Sequence, residues 1–196
     1  MAVLTPVEEL KTRILREGKN LGEGILKIDS ILNHQLHSEL IMACGEELAS
    51  RFRDAQPTRI LTAEVSGIAP ALATGFALKV PIVYARKTKP VTMFGPIFLE
   101  TAPSHTKGME VNLMVAAEFM PQGERVLIID DFLASGKTLH SLIRIVRAAQ
   151  STLVGIGCVV EKEFEGGRAA LAKYNVPIET LVNIVSMDNG KIVLAD

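Results

Sequence analysis

The residues best placed to do chemistry lie in one stretch, Val126-Leu127-Ile128-Ile129-Asp130-Asp131-Phe132-Leu133-Ala134-Ser135-Gly136-Lys137-Thr138. Its ending, Ser-Gly-Lys-Thr, is also how a P-loop ends. That motif needs a glycine five positions before Gly136, and position 131 is Asp. Two carboxylates there would also repel a triphosphate, so a kinase or NTPase is a weak fit. If a helix starts beside Gly136, the backbone N–H groups of Ala134, Ser135, Gly136, Lys137 and Thr138 lie at its N-terminus. Unpaired donors and the helix dipole favour a phosphate there. Gly136 lets the backbone approach closely, and the Ser135 and Thr138 hydroxyls can donate as well. Ionised, Asp130 and Asp131 can only accept hydrogen bonds, which suits the 2- and 3-hydroxyls of a ribose 5-phosphate. The stretch is shaped for a sugar phosphate.

Several elements must hold that stretch in place. Val126–Ile129 is a continuous apolar, β-branched run, the sign of a strand covered on both faces. Leu139–Ala149 reads as a helix with Leu139, Leu142, Ile143, Val146 and Ala149 inward, and Leu153–Val160 as a further buried strand. Upstream, Arg59–Ala63 and Pro81–Ala85 read as strands, with Ser66–Pro70 turning into a helix that ends near Lys79. Near the start, Pro6–Glu17 carries Val7, Leu10, Ile14 and Leu15 at helical spacing behind Thr5 as N-cap. Glycines at 18, 22 and 24 break that helix into a loop, and Ser38–Arg53 forms the next, with Leu40, Ile41, Cys44, Leu48 and Phe52 on one face. Strands alternating with helices predict an α/β domain, a parallel sheet with crossover helices. Residues 91–115 differ: Thr101–Gly108 is polar and turn-rich, so a mobile loop between two strands, too long for a tight hairpin, is predicted there as a lid.

Composition narrows the possibilities. The chain has 196 residues, 48% apolar and 22% charged, with net charge -1, and a mean hydropathy of +0.28. One globular domain is expected, with enough apolar content to exclude general disorder. Charged residues interrupt every apolar stretch well short of the ~18 residues of a membrane span. Met1–Pro6 lacks the basic flank and apolar core of a secretory signal. Cys44 and Cys158 are far apart in apolar segments, so each is expected as a core hydrophobe and no disulfide or zinc site is suggested. Balanced charge argues against a nucleic-acid surface. A cytoplasmic protein, without a membrane or nucleic-acid partner, is expected.

Four apolar residues, two acids, two spacers and Ala-Ser-Gly-x-Thr resemble the phosphoribosyl pyrophosphate (PRPP) signature of the type I phosphoribosyltransferases. Further blocks resemble the xanthine-using members of that family: Gly24–His34, Ser66–Ala71, Ala85-Arg86-Lys87 and Val160–Phe164, in the same order and spanning most of the chain. Past Phe164 the resemblance weakens. It implies the type I phosphoribosyltransferase fold as a single domain over residues 1–196. In that fold a mostly parallel sheet is flanked by helices, with a small hood (about 20–40 plus the C-terminal segment) and a flexible lid loop (about 100–112). It also implies transfer of phosphoribose from PRPP to N9 of xanthine, a magnesium requirement met by ions carried on PRPP without a dedicated metal site, and a homodimer.

The resemblance also distributes roles. Asp130 and Asp131 take the ribose as catalytic residues, and residues 134–138 its 5-phosphate. Ser66 and Gly67 would offer backbone N–H groups to the pyrophosphate, joined by the basic cluster Arg86, Lys87 and Lys89; a solvated strand exit has the same look. Lys107 in the lid is a candidate pyrophosphate contact or an ordinary exposed lysine. Bond breaking at the anomeric carbon would pass through an oxocarbenium-like state, stabilised by positioning and electrostatics with water excluded. Leu26, Asn33 and Lys162 would read the base, with the Lys162 ammonium on the 6-oxo group and the Asn33 amide on the 2-oxo and ring N–H edge. Phe132 either stacks on the purine or anchors the core. Enzymes acting on hypoxanthine and guanine are the nearest alternative. A PRPP-sensing regulator would need a DNA-binding module ahead of the fold, and the base-recognition block begins near Gly24 with room for one helix before it, so catalysis is the expectation.

Overall fold

A computed structural model describes residues 4–103 and 110–195. Thr5 caps the first helix as its sequence predicts. Its hydroxyl accepts from the Glu8 N–H, and the Glu8 carboxylate accepts from the Thr5 N–H in return, a reciprocal capping box. In chain order the elements are α1 (Pro6–Glu17), β1 (Lys19–Asn20), β2 (Leu26–Lys27), α2 (Ser38–Phe52), β3 (Arg59–Ala63), α3 (Ile68–Leu78), β4 (Ile82–Ala85), β5 (Ile97–Pro103) and β6 (Glu110–Ala116). They continue with β7 (Arg125–Leu133), α4 (Lys137–Ala148), β8 (Thr152–Lys162), α5 (Gly167–Leu171), β9 (Ile178–Ser186) and β10 (Val193–Leu194).

Six strands form the central sheet in the order β10-β9-β8-β7-β3-β4. Every neighbouring pair is parallel except β9 with β10. Successive residues of β7 face opposite sides, which explains its unbroken apolar run. Leu127 and Ile129 join the core under α1, α2 and α3. Val126 and Ile128 join the one under α4 and α5. The inward stripes expected for α2 and α4 are buried, and so are Cys44 and Cys158. Leu15 is a correction: it is 57% exposed while Leu10 and Ile14 are buried. One residue past Ile14 is a rotation of about 100°, which carries it off the covered stripe.

Three further differences from the sequence expectation concern the site. First, β7 runs past Ile129 to Leu133 and β8 past Val160 to Lys162, because their ladder continues through Phe132↔Val160 and Leu133↔Glu161. Asp130 and Asp131 therefore sit on a strand end held by a neighbour on the sheet. Second, the two strands expected around the 91–115 loop are present and reach further into it than expected, paired as an antiparallel ribbon from Ile97↔Ala116 to Pro103↔Glu110. Ala102, Leu113 and Val115 turn inward onto the α4 core, and that burial makes strands of the flanks. Ser104, Thr106 and Lys107 lie outside the described residues. Third, β9 and β10 extend the sheet beyond the last strand read from sequence.

β1 and β2 form a short antiparallel hairpin, followed by a wide helical turn over Asp29–Asn33 that buries Ile31 and Leu32. The Asn20 amide donates to the carbonyls of Met187 and, at 3.4 Å, Lys191, so the hairpin rests on the C-terminal segment. No helix among the described residues is long and apolar enough to cross a membrane.

Candidate active site

The carboxyl ends of parallel strands are where an open α/β sheet places its ligands. Here a cleft of about 750 Å³ opens at the ends of β3, β7 and β8, between the hairpin of β1 and β2 on one side and the β5–β6 ribbon on the other. Asp130, Asp131 and Phe132 form its floor. Ser66, Gly67, Lys87, Ala134 and Thr138 line one end, and Leu26, Asn33 and Lys162 the other.

Asp130 is buried, with 6% of its surface exposed. Burial first, then the neighbouring Asp131 charge, holds its carboxyl well above the usual carboxylate range, while the Asp131 N–H and the Lys87 charge pull the other way. The Asp131 N–H donates to Asp130 Oδ1 at 3.0 Å. Gly67, opening the turn into α3, presses against this carboxyl. A Cβ at position 67 would lie 2.4 Å from both Asp130 Oδ1 and Thr62 Oγ1, which no side chain tolerates. Two acids share the floor, and the backbone of the adjacent turn reaches them because position 67 has no side chain.

The next turn is built as the sequence suggests. Gly136 has φ +75, the left-handed region that glycine adopts at little cost, and α4 begins at Lys137. Ala134 and Thr138 face the cleft. Gly136 is buried, Ser135 half-buried, and the Lys137 side chain exposed. Ser135, Gly136 and Lys137 do not themselves line the cleft wall.

At the opposite end the Asn33 amide donates to Asp131 Oδ2 at 3.0 Å. Lys162 Nζ donates to the Gly24 carbonyl at 2.6 Å and to Glu165 Oε1 at 3.3 Å. The same ammonium sits 5.4 Å from the centroid of the Phe132 ring, so Phe132 serves as a platform under a cation at the cleft floor. Sequence reading missed Gly24 and Glu165 as partners of Lys162. Glu165 carried a signal, its spacing of three residues from Lys162; the Gly24 carbonyl carried none.

The basic cluster divides. Lys87 reaches the cleft, and its backbone N–H donates to Glu64 Oε1 at 2.6 Å. Arg86 does not line the cleft: it bridges to Met114 of β6 through both backbone groups, and its Nε lies 3.5 Å from Glu64 Oε2. Lys89 is exposed beyond the strand end and outside the cleft wall. Glu64 is thus a cleft residue that sequence reading did not single out, and it holds the strand exit from beneath.

A family model described as "Phosphoribosyl transferase domain" matches residues 29–189. This chain belongs to the phosphoribosyltransferase family. Its relatives include a protein named xanthine phosphoribosyltransferase from Deinococcus deserti, 52% identical over 90% of this chain and 92% of that one. Another of the same name, from Moorella thermoacetica, is 45% identical over 98% of each chain. Among solved structures, an adenine phosphoribosyltransferase from Thermoanaerobacter pseudethanolicus superposes with a TM-score of 0.74 at 22% identity, covering 90% of this chain and 99% of that one. The Giardia lamblia enzyme crystallised with 9-deazaadenine gives 0.75 at 18% identity, covering 92% and 98%. Those two likenesses concern the fold, type I phosphoribosyltransferase.

In this phosphoribosyltransferase the donors at the cleft floor can be tested for their fit to a divalent cation. No three His, Cys, Asp or Glu side chains gather into a metal cage among the described residues. Two carboxyls do face the cleft at 130 and 131, one of them held toward its protonated form by burial and a like charge. A nearby cation would relieve that repulsion. Magnesium prefers oxygen and keeps several waters, so an ion arriving on a phosphorylated substrate fits this donor set.

Proposed function

We propose that this phosphoribosyltransferase moves the phosphoribosyl group of PRPP to N9 of xanthine, giving xanthosine monophosphate and pyrophosphate. The observation that carries the proposal is the meeting, in one cleft, of the acid pair with its helix-capping loop and of Lys162 with Asn33. The relatives at 52% and 45% identity, both named xanthine phosphoribosyltransferase, support the choice of base.

The residues divide the work by chemistry. N–H groups from Ala134 to Thr138, with the Ser135 and Thr138 hydroxyls, hold the 5-phosphate at the start of α4. Asp130 and Asp131 accept from the ribose hydroxyls. Ser66 and Gly67 offer N–H groups to the pyrophosphate and Lys87 its charge, with Glu64 and Arg86 fixing the strand exit behind them. Magnesium carried on PRPP, with Asp130 and Asp131 nearby as oxygen acceptors for its waters, would supply positive charge at the pyrophosphate. As the C1–O bond breaks, its electron pair leaves on pyrophosphate, positive charge spreads over the ribose ring, and the acid pair stabilises it. N9 of the purine then bonds to C1, and its proton passes to the departing pyrophosphate. The ribbon wall at Ala102, Val111 and Leu113 helps keep water from the cation.

Base choice follows from donors and acceptors. An ammonium has three donors; Lys162 commits two, to Gly24 and Glu165, and the third serves the 6-oxo group. Adenine offers an amino group there and would leave the third N–H without an acceptor, a mismatch of the kind that discriminates by about 10⁴–10⁵. Leu26 packs on the base. Asn33 gives one amide N–H to Asp131, leaving a carbonyl and a second N–H for the 2-oxo edge. The protein acts as a cytoplasmic homodimer, for which the exposed apolar side chains Leu72 and Phe76 on α3 offer a surface to cover. Calorimetric titration with PRPP and magnesium tests the core of this: a heat of binding that disappears in the Thr138→Val, Ser135→Ala double variant is expected, and no heat with the wild type would overturn it.

A further inference from the structure

The phosphate-holding loop has a back as well as a front, and the back leads to an ion pair that does not line the cleft. Glu161 is 1% exposed. Arg168 donates to it from Nε, at 3.0 and 3.1 Å to its two oxygens, and from Nη2 at 2.5 Å. Thr180 Oγ1 lies 2.9 Å from Glu161 Oε2 and accepts from Arg168 Nη2 at 3.0 Å. Arg168 Nη1 donates to the Ile178 carbonyl at 2.8 Å. The planar guanidinium is therefore held in one orientation by a strand on either side.

What that orientation fixes is the residue before it. Gly167 begins α5, a helix of five residues, too short to be stable by itself. A Cβ on Gly167 would lie 2.1 Å from the Ala134 carbonyl and 2.9 Å from the Gly136 N. A Cβ on Gly136 would in turn lie 3.3 Å from the Gly167 carbonyl and from Leu171 Cγ. The circuit closes through the sheet, because Glu161 is the register partner of Leu133, the residue before Ala134. Leu133, Glu161, Arg168, Gly167 and Ala134 thus form a ring of contacts behind the loop. Glu161 is buried while the Arg168 side chain keeps 44% of its surface exposed, so the pair adds little stability and its forked geometry matters more for fixing one arrangement.

We propose that Glu161 and Arg168 are positioning residues for the sugar-phosphate loop: their ion pair seats Gly167 against Ala134 and Gly136, and so aims the loop N–H groups at the 5-phosphate. The proposal rests on the assignment of that loop to PRPP. Lysine cannot replace the fork of Arg168, since it carries a point charge with no fixed plane.

The test uses the whole enzyme and two probes that each carry half of PRPP: ribose 5-phosphate, and pyrophosphate with magnesium. Arg168→Lys and Glu161→Gln are expected to weaken ribose 5-phosphate about tenfold, as misplaced donors should, and to leave pyrophosphate within about twofold. KM for PRPP should rise more than kcat falls. Gly167→Ala keeps the ion pair but adds a methyl against the Ala134 carbonyl, so it must give the same split even if Arg168→Lys folds poorly. Unchanged ribose 5-phosphate affinity in Arg168→Lys and Gly167→Ala would overturn the proposal, and so would an equal loss of both probes, which general loosening of the fold would cause. Thr138→Val separates the two assignments. If it leaves ribose 5-phosphate binding intact, the loop itself has been misassigned; if it weakens binding while Arg168→Lys does not, the positioning role alone fails.

Discussion

At Asp130 two demands collide. In the proposed role the side chain accepts from ribose hydroxyls and steadies positive charge on the ring, and it does the second only when ionised, yet burial and the Asp131 charge favour its protonated form. A carboxyl whose folded value lies above its unfolded value near 3.9 keeps its proton longer in the folded state. Its contribution to stability is therefore greatest at low pH and is lost as pH rises from about 4 through the folded value. Asp130→Asn should show a shallower fall in Tm than the wild type as pH is raised through that window, as thermal melts at stepped pH will read. With Asp131→Asn added, transfer should drop by about 10²-fold or more while the melt stays cooperative; near-normal turnover would end the ribose assignment. Lys162→Ala removes charged hydrogen bonds worth about 1.5–3 kcal/mol, so KM for xanthine should rise on the order of 10–100-fold with KM for PRPP far less affected. Steady-state kinetics with each substrate varied will show it, and equal shifts in both would count against Lys162 as a base contact. The acid pair was legible because its members are adjacent in sequence and stand at a strand end. The pairing of Asn33 with Asp131 spans 98 residues and that of Lys162 with Gly24 spans 138, and no local pattern encodes a partner so far away.

Elements were legible where their signals are local. The Thr5 cap and the apolar stripes of α2 and α4 depend on residues within a few turns of each other, and each is where the spacing put it. Thr5→Ala should cost about 1 kcal/mol, lowering Tm slightly while leaving kcat unchanged, because α1 lies away from the cleft; a loss of activity at full folding would show that the cap does more. The β5–β6 ribbon was legible only as two strands around a polar loop, without their extent or their mutual pairing. Its polar, turn-rich centre suggested a loop, and strand pairing depends on a partner across the turn. β9 went unread for a similar reason: it gains its place from the ladder with β8 and from burial of Leu181, Val182 and Ile184.

At the scale of the whole molecule, alternation of buried strands with amphipathic helices was enough to give a parallel sheet with helices on both faces. The antiparallel edge at β10 was not foreseeable from alternation, because a two-residue strand has almost no pattern of its own. The sheet sets the site by placing three strand ends side by side, so that acids from β7, a turn after β3 and a lysine from β8 meet over one cleft. The hairpin and wide turn before α2 then bring Leu26 and Asn33 across the opening. The fold is shared with solved enzymes named for adenine, so in the proposed reading the choice of purine falls to the few side chains at that opening.

The most direct test of the central claim is release of pyrophosphate from PRPP and magnesium with xanthine, guanine, hypoxanthine and adenine offered one at a time. Xanthine should give the highest kcat/KM, with adenine lower by orders of magnitude. Adenine used as well as xanthine, or no pyrophosphate released with any of the four, would contradict it.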